Sequence, residues 1–160
     1  MKLILLALIC TGLAAPAWSL SCIRPDIVRT FEQARDSDAG FWVVRGRIIA
    51  DGPIAAPKPD ASGRYKDNAT AKTQVQFVGV GLRPNGTFED FSKDITLTVS
   101  CIAHWCGSPP LNTEVFAAIE VKESGPELQI DACSSRVVPF SEDGEKRLLQ
   151  CLSDGLCTYR

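Results

Sequence analysis

One stretch of this chain carries most of its candidate chemistry: Cys101-Ile102-Ala103-His104-Trp105-Cys106-Gly107. Two thiols and the chain's only histidine lie together there. A thioredoxin-type redox site needs a second thiol three residues after the first, to resolve a mixed disulfide. Pro109 stands at that distance from Cys106, so redox catalysis is not expected. Zinc wants a fourth ligand and paired spacings such as C-x2-C, which Cys101, His104 and Cys106 do not supply. No metal is expected. An envelope hydrolase centred on His104 is kept as an alternative, but no G-x-S-x-G elbow surrounds a serine. Close carboxylate pairs such as Glu89-Asp90 and Glu142-Asp143 read as turn and helix-start residues rather than a glycosidase pair. No glycine loop could cradle a phosphate, so no cofactor is expected.

The other cysteines set the context for these two. The start, Met1 to Ala17, has one lysine, an apolar run from Leu3 to Ile9, and the small-x-small sequence Ala15-Pro16-Ala17. That is the pattern of an export signal over 1–17, with the cut placed as late as 21 on the weaker sites. The run is too short for a membrane span, which takes about 20 apolar residues. Removal of the signal takes Cys10 with it and leaves Cys22, Cys101, Cys106, Cys133, Cys151 and Cys157. In an exported, periplasmic or extracellular protein these default to disulfides. Six cysteines allow fifteen pairings. Local turns favour Cys101–Cys106 and Cys151–Cys157, which leaves Cys22–Cys133.

The chain has 160 residues, 17 basic and 19 acidic. A mature chain of that size suits a single domain. With no basic stripe, nucleic acid is not an expected partner. Asn68-Ala69-Thr70 and Asn85-Gly86-Thr87 match the glycosylation sequon, which matters only in a eukaryotic secretory pathway.

The elements that position the candidate residues follow from periodicity. Ile23, Ile27, Phe31 and Ala34 recur at helical spacing, and Pro25 and Asp26 suit a first turn, so a short helix is expected over roughly 25–35. The aromatic and β-branched run 41–50 reads as a strand, with Gly46 marking a bulge or bend. Residues 51–72, rich in proline and glycine, read as a long exposed loop. Further strands are expected over 73–82, around 95–99, over 114–122 and at 128–130. Ser141 caps a terminal helix that closes near Gly155. Phe41, Trp42 and Phe77 are expected in the core. The fold class is mainly β: a small five-stranded antiparallel barrel with two short flanking helices, stapled by disulfides.

The order of these features resembles the netrin-like module, the fold of the tissue inhibitors of metalloproteinases. The likeness lies in Cys22 before a helix, the Val43-Val44-Arg45-Gly46-Arg47 strand, the Cys106-Gly107 step, the Val115-Phe116-Ala117-Ala118-Ile119 strand, and the cysteine-bearing terminal helix. It covers most of 22–157. The resemblance implies one barrel of the oligonucleotide/oligosaccharide-binding (OB) type. It also implies two roles. Inhibitors of the family chelate a catalytic zinc through an amino-terminal cysteine in a Cys-x-Cys context; here Ser21 precedes Cys22 and Arg24 takes the second cysteine's place. Other members bind proteins or glycans. The expectation is therefore a non-enzymatic binding module for a protein or glycan, with Cys22, His104 and Trp105 as candidate binding residues. A metalloprotease inhibitor using Cys22 is the alternative. Residues 51–72 and Cys101–Pro110 are the expected contact segments, because loops on a rigid scaffold carry binding.

Overall fold

A computed structural model describes residues 22–133 and 136–159. The expected export signal lies outside the described residues. Helix α1 is Ile27–Arg35. The strands follow as β1 (Gly40–Ile49), β2 (Ala69–Leu82), β3 (Phe88–Ile102), β4 (Trp105–Cys106), β5 (Val115–Lys122), β6 (Gly125–Ile130) and β7 (Val137–Pro139). Helix α2 is Glu142–Asp154. The fold is mainly β, with one mixed sheet of seven strands rather than five. The additional strands β4 and β7 have only 2 and 3 residues, too few to leave a periodic signal.

The sheet also departs from the all-antiparallel expectation. Strand β1 pairs with β2 on one side and β5 on the other. β2 pairs with β3, β3 with β6, and β6 with β5, so the pairings return to β1. A ring with an odd number of strands cannot alternate direction throughout. One neighbouring pair must be parallel, and it is β3–β6, in register Leu97↔Leu128 and Val99↔Ile130.

Gly46 does not form a bulge. The β1–β2 register runs unbroken from Val44↔Gly81 to Ile49↔Gln76, with Gly46 opposite Gly79. A Cβ on Gly46 would come within 2.2 Å of the Val78 carbonyl oxygen and 2.7 Å of Gly79 Cα. The two backbones therefore meet where neither residue can carry a side chain. At the same point Gly46 pairs with Val115 of β5.

Alternation along the strands builds two cores. Val44, Ile48, Phe77, Leu97, Ile119, Leu128 and their neighbours fill the inside of the sheet. Phe116 and Val138 face outward and are covered by Ile27, Val28, Leu148 and Cys151 of the helices. β5 is thus buried on both faces, and Val121 at its end is exposed. Phe77 is buried as expected, whereas Trp42 is 36% exposed and packs edge-on against Phe91, its ring 5.4 Å away.

Asp26 is the cap of α1 rather than part of its first turn. Its carboxylate accepts from the Val28 and Arg29 amides at 2.9 and 3.3 Å. Such a cap is worth about 1 kcal/mol. Its other oxygen accepts from Arg147 of α2 at 3.0 Å, so one buried carboxylate starts one helix and docks the other. Ser141 caps α2, and Gly155 closes it in the left-handed conformation at φ 68°. Arg45 reaches from β1 to Glu145 at 2.6 Å, between the rings of Phe88 and Phe140, each 5.2 Å away.

The three disulfides are Cys22–Cys133, Cys101–Cys106 and Cys151–Cys157. The first spans 111 residues. On the loop-entropy account a link that long restricts the unfolded chain by about 4–5 kcal/mol.

The Gly46 crossing gives a sharp prediction. Gly46→Ala places a methyl group against backbone that cannot yield. A loss of about 3 kcal/mol or more is expected in thermal or urea unfolding. The control Gly52→Ala, whose Cβ meets nothing within 4 Å, leaves the midpoint nearly unchanged.

Candidate functional site

The Cys101–Cys106 segment is a tight hairpin at the end of β3. Cys101 and Cys106 are direct cross-strand partners, with Cα atoms 4.0 Å apart. The turn between them holds Ala103 at φ 53°, a strained conformation for a residue with a side chain. The return leg is pinned as well. The Gly107 amide donates to the Ser100 carbonyl at 3.0 Å, and a Cβ on Gly107 would lie 2.2 Å from the Ile130 carbonyl oxygen. Ile102 and Trp105 are the other cross-strand pair. Their side chains share a face, 52% and 37% exposed.

The long loop begins as expected but ends at 68, since 69–72 already belong to β2. It is tied at several points. Ile54 packs against the inner core, and the Ala55 amide donates to Thr73 Oγ1 at 2.9 Å. Asp60 organises a turn by accepting from the Ser62 hydroxyl at 2.6 Å and the Arg64 amide at 3.0 Å. Those bonds, led by the Ser62 hydroxyl, hold its carboxyl below the ordinary range. The loop then meets the hairpin. The Tyr65 amide donates to the Ala103 carbonyl at 2.7 Å. His104 Nδ1 lies 3.1 Å from the Gly63 carbonyl, which only accepts, so Nδ1 carries the proton. The two expected contact segments form one ridge.

Beside the ridge is a depression of about 390 Å³, lined by Asn68, Thr70, Ser100, Ile102, Gln129 and Cys133, among others. Cys22 is exposed and reaches its rim through the disulfide to Cys133. Trp105 is the cross-strand partner of Ile102, which lines it. His104 is exposed on the ridge, 6.2 Å edge-on from Trp105. Cys22 and Trp105 do not line the depression themselves; each is joined to a residue that does, Cys133 and Ile102, and His104 is on the loop side of the ridge. The lining residues Asn68, Thr70, Ser100 and Gln129 were not anticipated. Their signal was the outward alternate position on a strand, which ordinary solvated residues share.

Further along the same outer face sits a buried carboxylate. Glu127 is 7% exposed and accepts from Thr98 Oγ1 at 2.7 Å, Lys72 Nζ at 3.2 Å and Lys122 Nζ at 3.3 Å. Burial pushes its pKa up, but the Thr98 hydroxyl and the two ammonium groups together outweigh burial and hold it below 4.5. Lys122 also meets Glu120 at 3.7 Å, and Arg136 meets Glu120 at 2.8 Å. The charges on this face are paired with one another. Among the described residues no group of three or more His, Cys, Asp or Glu could hold a metal ion.

No protein-family model matches the chain, and neither a curated protein nor a solved structure is significantly similar to it.

The Glu127 cluster makes stability depend on pH in a defined direction. A carboxylate whose folded pKa is depressed contributes stability above its unfolded value, and that contribution is lost as pH falls through the folded pKa. Glu127→Gln is expected to cost about 1–2 kcal/mol at neutral pH. The difference in melting temperature between wild type and variant should shrink as pH falls below about 4.5. A gap that stays constant down to strongly acidic pH would contradict it.

Proposed function

We propose that this chain is an exported binding module without catalytic activity. In this reading the ring of pairings is a small barrel of the oligonucleotide/oligosaccharide-binding type, related to the netrin-like modules. The odd ring with one parallel pair supports the barrel. Three disulfides, and the absence among the described residues of a helix long and apolar enough to cross a membrane, fit an oxidising compartment. The partner is a protein or glycan and not a nucleic acid, given the acidic balance of the chain.

The observation that carries the binding role is the ridge itself. A disulfide, two loop-to-hairpin bonds and a tight glycine contact hold Ile102 and Trp105 out in solvent beside a depression. Large apolar side chains held rigidly at the surface mark interaction sites. His104 has a different part: its Nδ1–H fixes the loop to the hairpin.

The inhibitor alternative uses the same end of the molecule, because Cys22 is exposed at the rim. It requires Cys22 as first residue with a free amine. Acetylation of that amine would then abolish inhibition of a metalloprotease, and an unaffected assay would exclude this mode.

The binding role is tested by immobilising wild type and Ile102→Ala/Trp105→Ala and comparing what each retains from envelope or culture extract. A specific ligand kept by wild type is expected to bind the double variant at least ten-fold more weakly, with the disulfide mass and melting temperature preserved. Retention of every ligand by the double variant would show that this ridge is not the contact surface.

A further inference from the structure

The lining of the depression says what kind of molecule fits it. Asn68, Thr70, Ser100 and Gln129 present two amides and two hydroxyls. Among the described residues none of these four side chains forms a hydrogen bond to another protein group. Each can both donate and accept. Among the described residues Asp131 is the lining's single ionisable side chain, and it already accepts from the Cys133 amide at 2.7 Å. Among the described residues no lysine or arginine lines the depression. The nearest ammonium along β2, Lys72, is paired with Glu127. One rim is apolar, made by Ile102 with Trp105 beside it.

A phosphorylated or sulfated ligand asks for arginine or lysine and finds none here. A purely apolar ligand would leave the amides and hydroxyls unmatched. A neutral sugar meets both conditions. Its hydroxyls donate and accept as the amides and serine-type hydroxyls do, and its C–H faces pack on a tryptophan or isoleucine. We infer that the depression bounded by Asn68, Thr70, Ser100, Gln129 and Ile102, with Trp105 paired to Ile102 beside it, is a subsite for an uncharged oligosaccharide. The inference deepens the binding-module reading and rests on it.

The outward strand geometry makes this a prearranged site. Thr70 and Ser100 are cross-strand partners on β2 and β3, and Gln129 lies on β6 beside Thr98. Three neighbouring strands thus hold the polar groups in fixed positions, so little ordering cost falls on binding.

The test uses the mature, oxidised chain. Tetrasaccharides of β-linked glucose, of N-acetylglucosamine and of mannose are titrated by calorimetry, with a heparin tetrasaccharide as charged control. At least one neutral tetrasaccharide is expected to bind, and the heparin fragment is expected to bind at least ten-fold more weakly. Gln129→Ala and Trp105→Ala should each weaken the neutral ligand at least ten-fold. Gln74→Ala, on the same face but away from the depression, should not. Saturation-transfer NMR on wild type gives a reading that needs no variant: transfer should reach the sugar C–H protons. Binding of heparin alone would overturn the neutral-sugar assignment. So would the absence of any sugar binding. If a protein ligand is then lost on Ile102→Ala/Trp105→Ala, the binding-module reading stands without the sugar. If no ligand depends on that pair, both fail.

Discussion

Two backbones cross at Gly46 and Gly79 with no space for a β-carbon on either. At that crossing β1 pairs with β2 on one side and β5 on the other. The ten-residue strand β1 serves two neighbours through this point, and the pairings of five strands return to it. The oddness of that ring requires a parallel pair, and β6 beside β3 is that pair. The same parallel pair sets Gln129 next to the outward residues of β3. The surface of the molecule thus depends on a contact in its backbone.

The helices answer a second constraint. β5 presents apolar side chains on both faces, so the outward Phe116 and its neighbour Val138 need a cover. α1 and α2 supply it, and polar contacts fix how they lie. Asp26 caps one helix and pairs with Arg147 of the other; Arg45 ties α2 to β1 between two phenylalanine rings. Burial supplies most of the free energy, since an apolar side chain removed from water is worth about 1.5–3 kcal/mol. The charged contacts choose the arrangement more than they deepen it.

The end of the sheet that carries β4 is built differently. There the chain forms a hairpin and a long loop, and neither is stable by itself. The disulfide between direct cross-strand partners closes the hairpin, and the hairpin then holds the loop through Tyr65 and His104. Covalent closure and a few hydrogen bonds hold this end, together with the packing of Ile54 on the inner core. His104 has a structural part here, joining the hairpin to the loop at Gly63.

Local patterns were legible in the sequence where one residue type has one physical use. Ser141 and Gly155 bracket α2 as a cap and a left-handed stop, and the alternation at Ile95, Leu97 and Val99 marks the inner face of β3. Cysteine spacing pointed to the two short-range bridges, because five or six residues of chain cannot separate the partners far. Gly46 reads from sequence as a bulge or bend, since a sequence shows a missing side chain and not which backbone takes its place. Direction and closure of the strands, the two-residue β4 and three-residue β7, and the gathering of Asn68, Thr70, Ser100 and Gln129 at one depression were decided by tertiary structure alone. Those residues are ordinary polar positions one at a time. Only the pairing of strands far apart in the chain makes them neighbours, and no local pattern encodes that pairing.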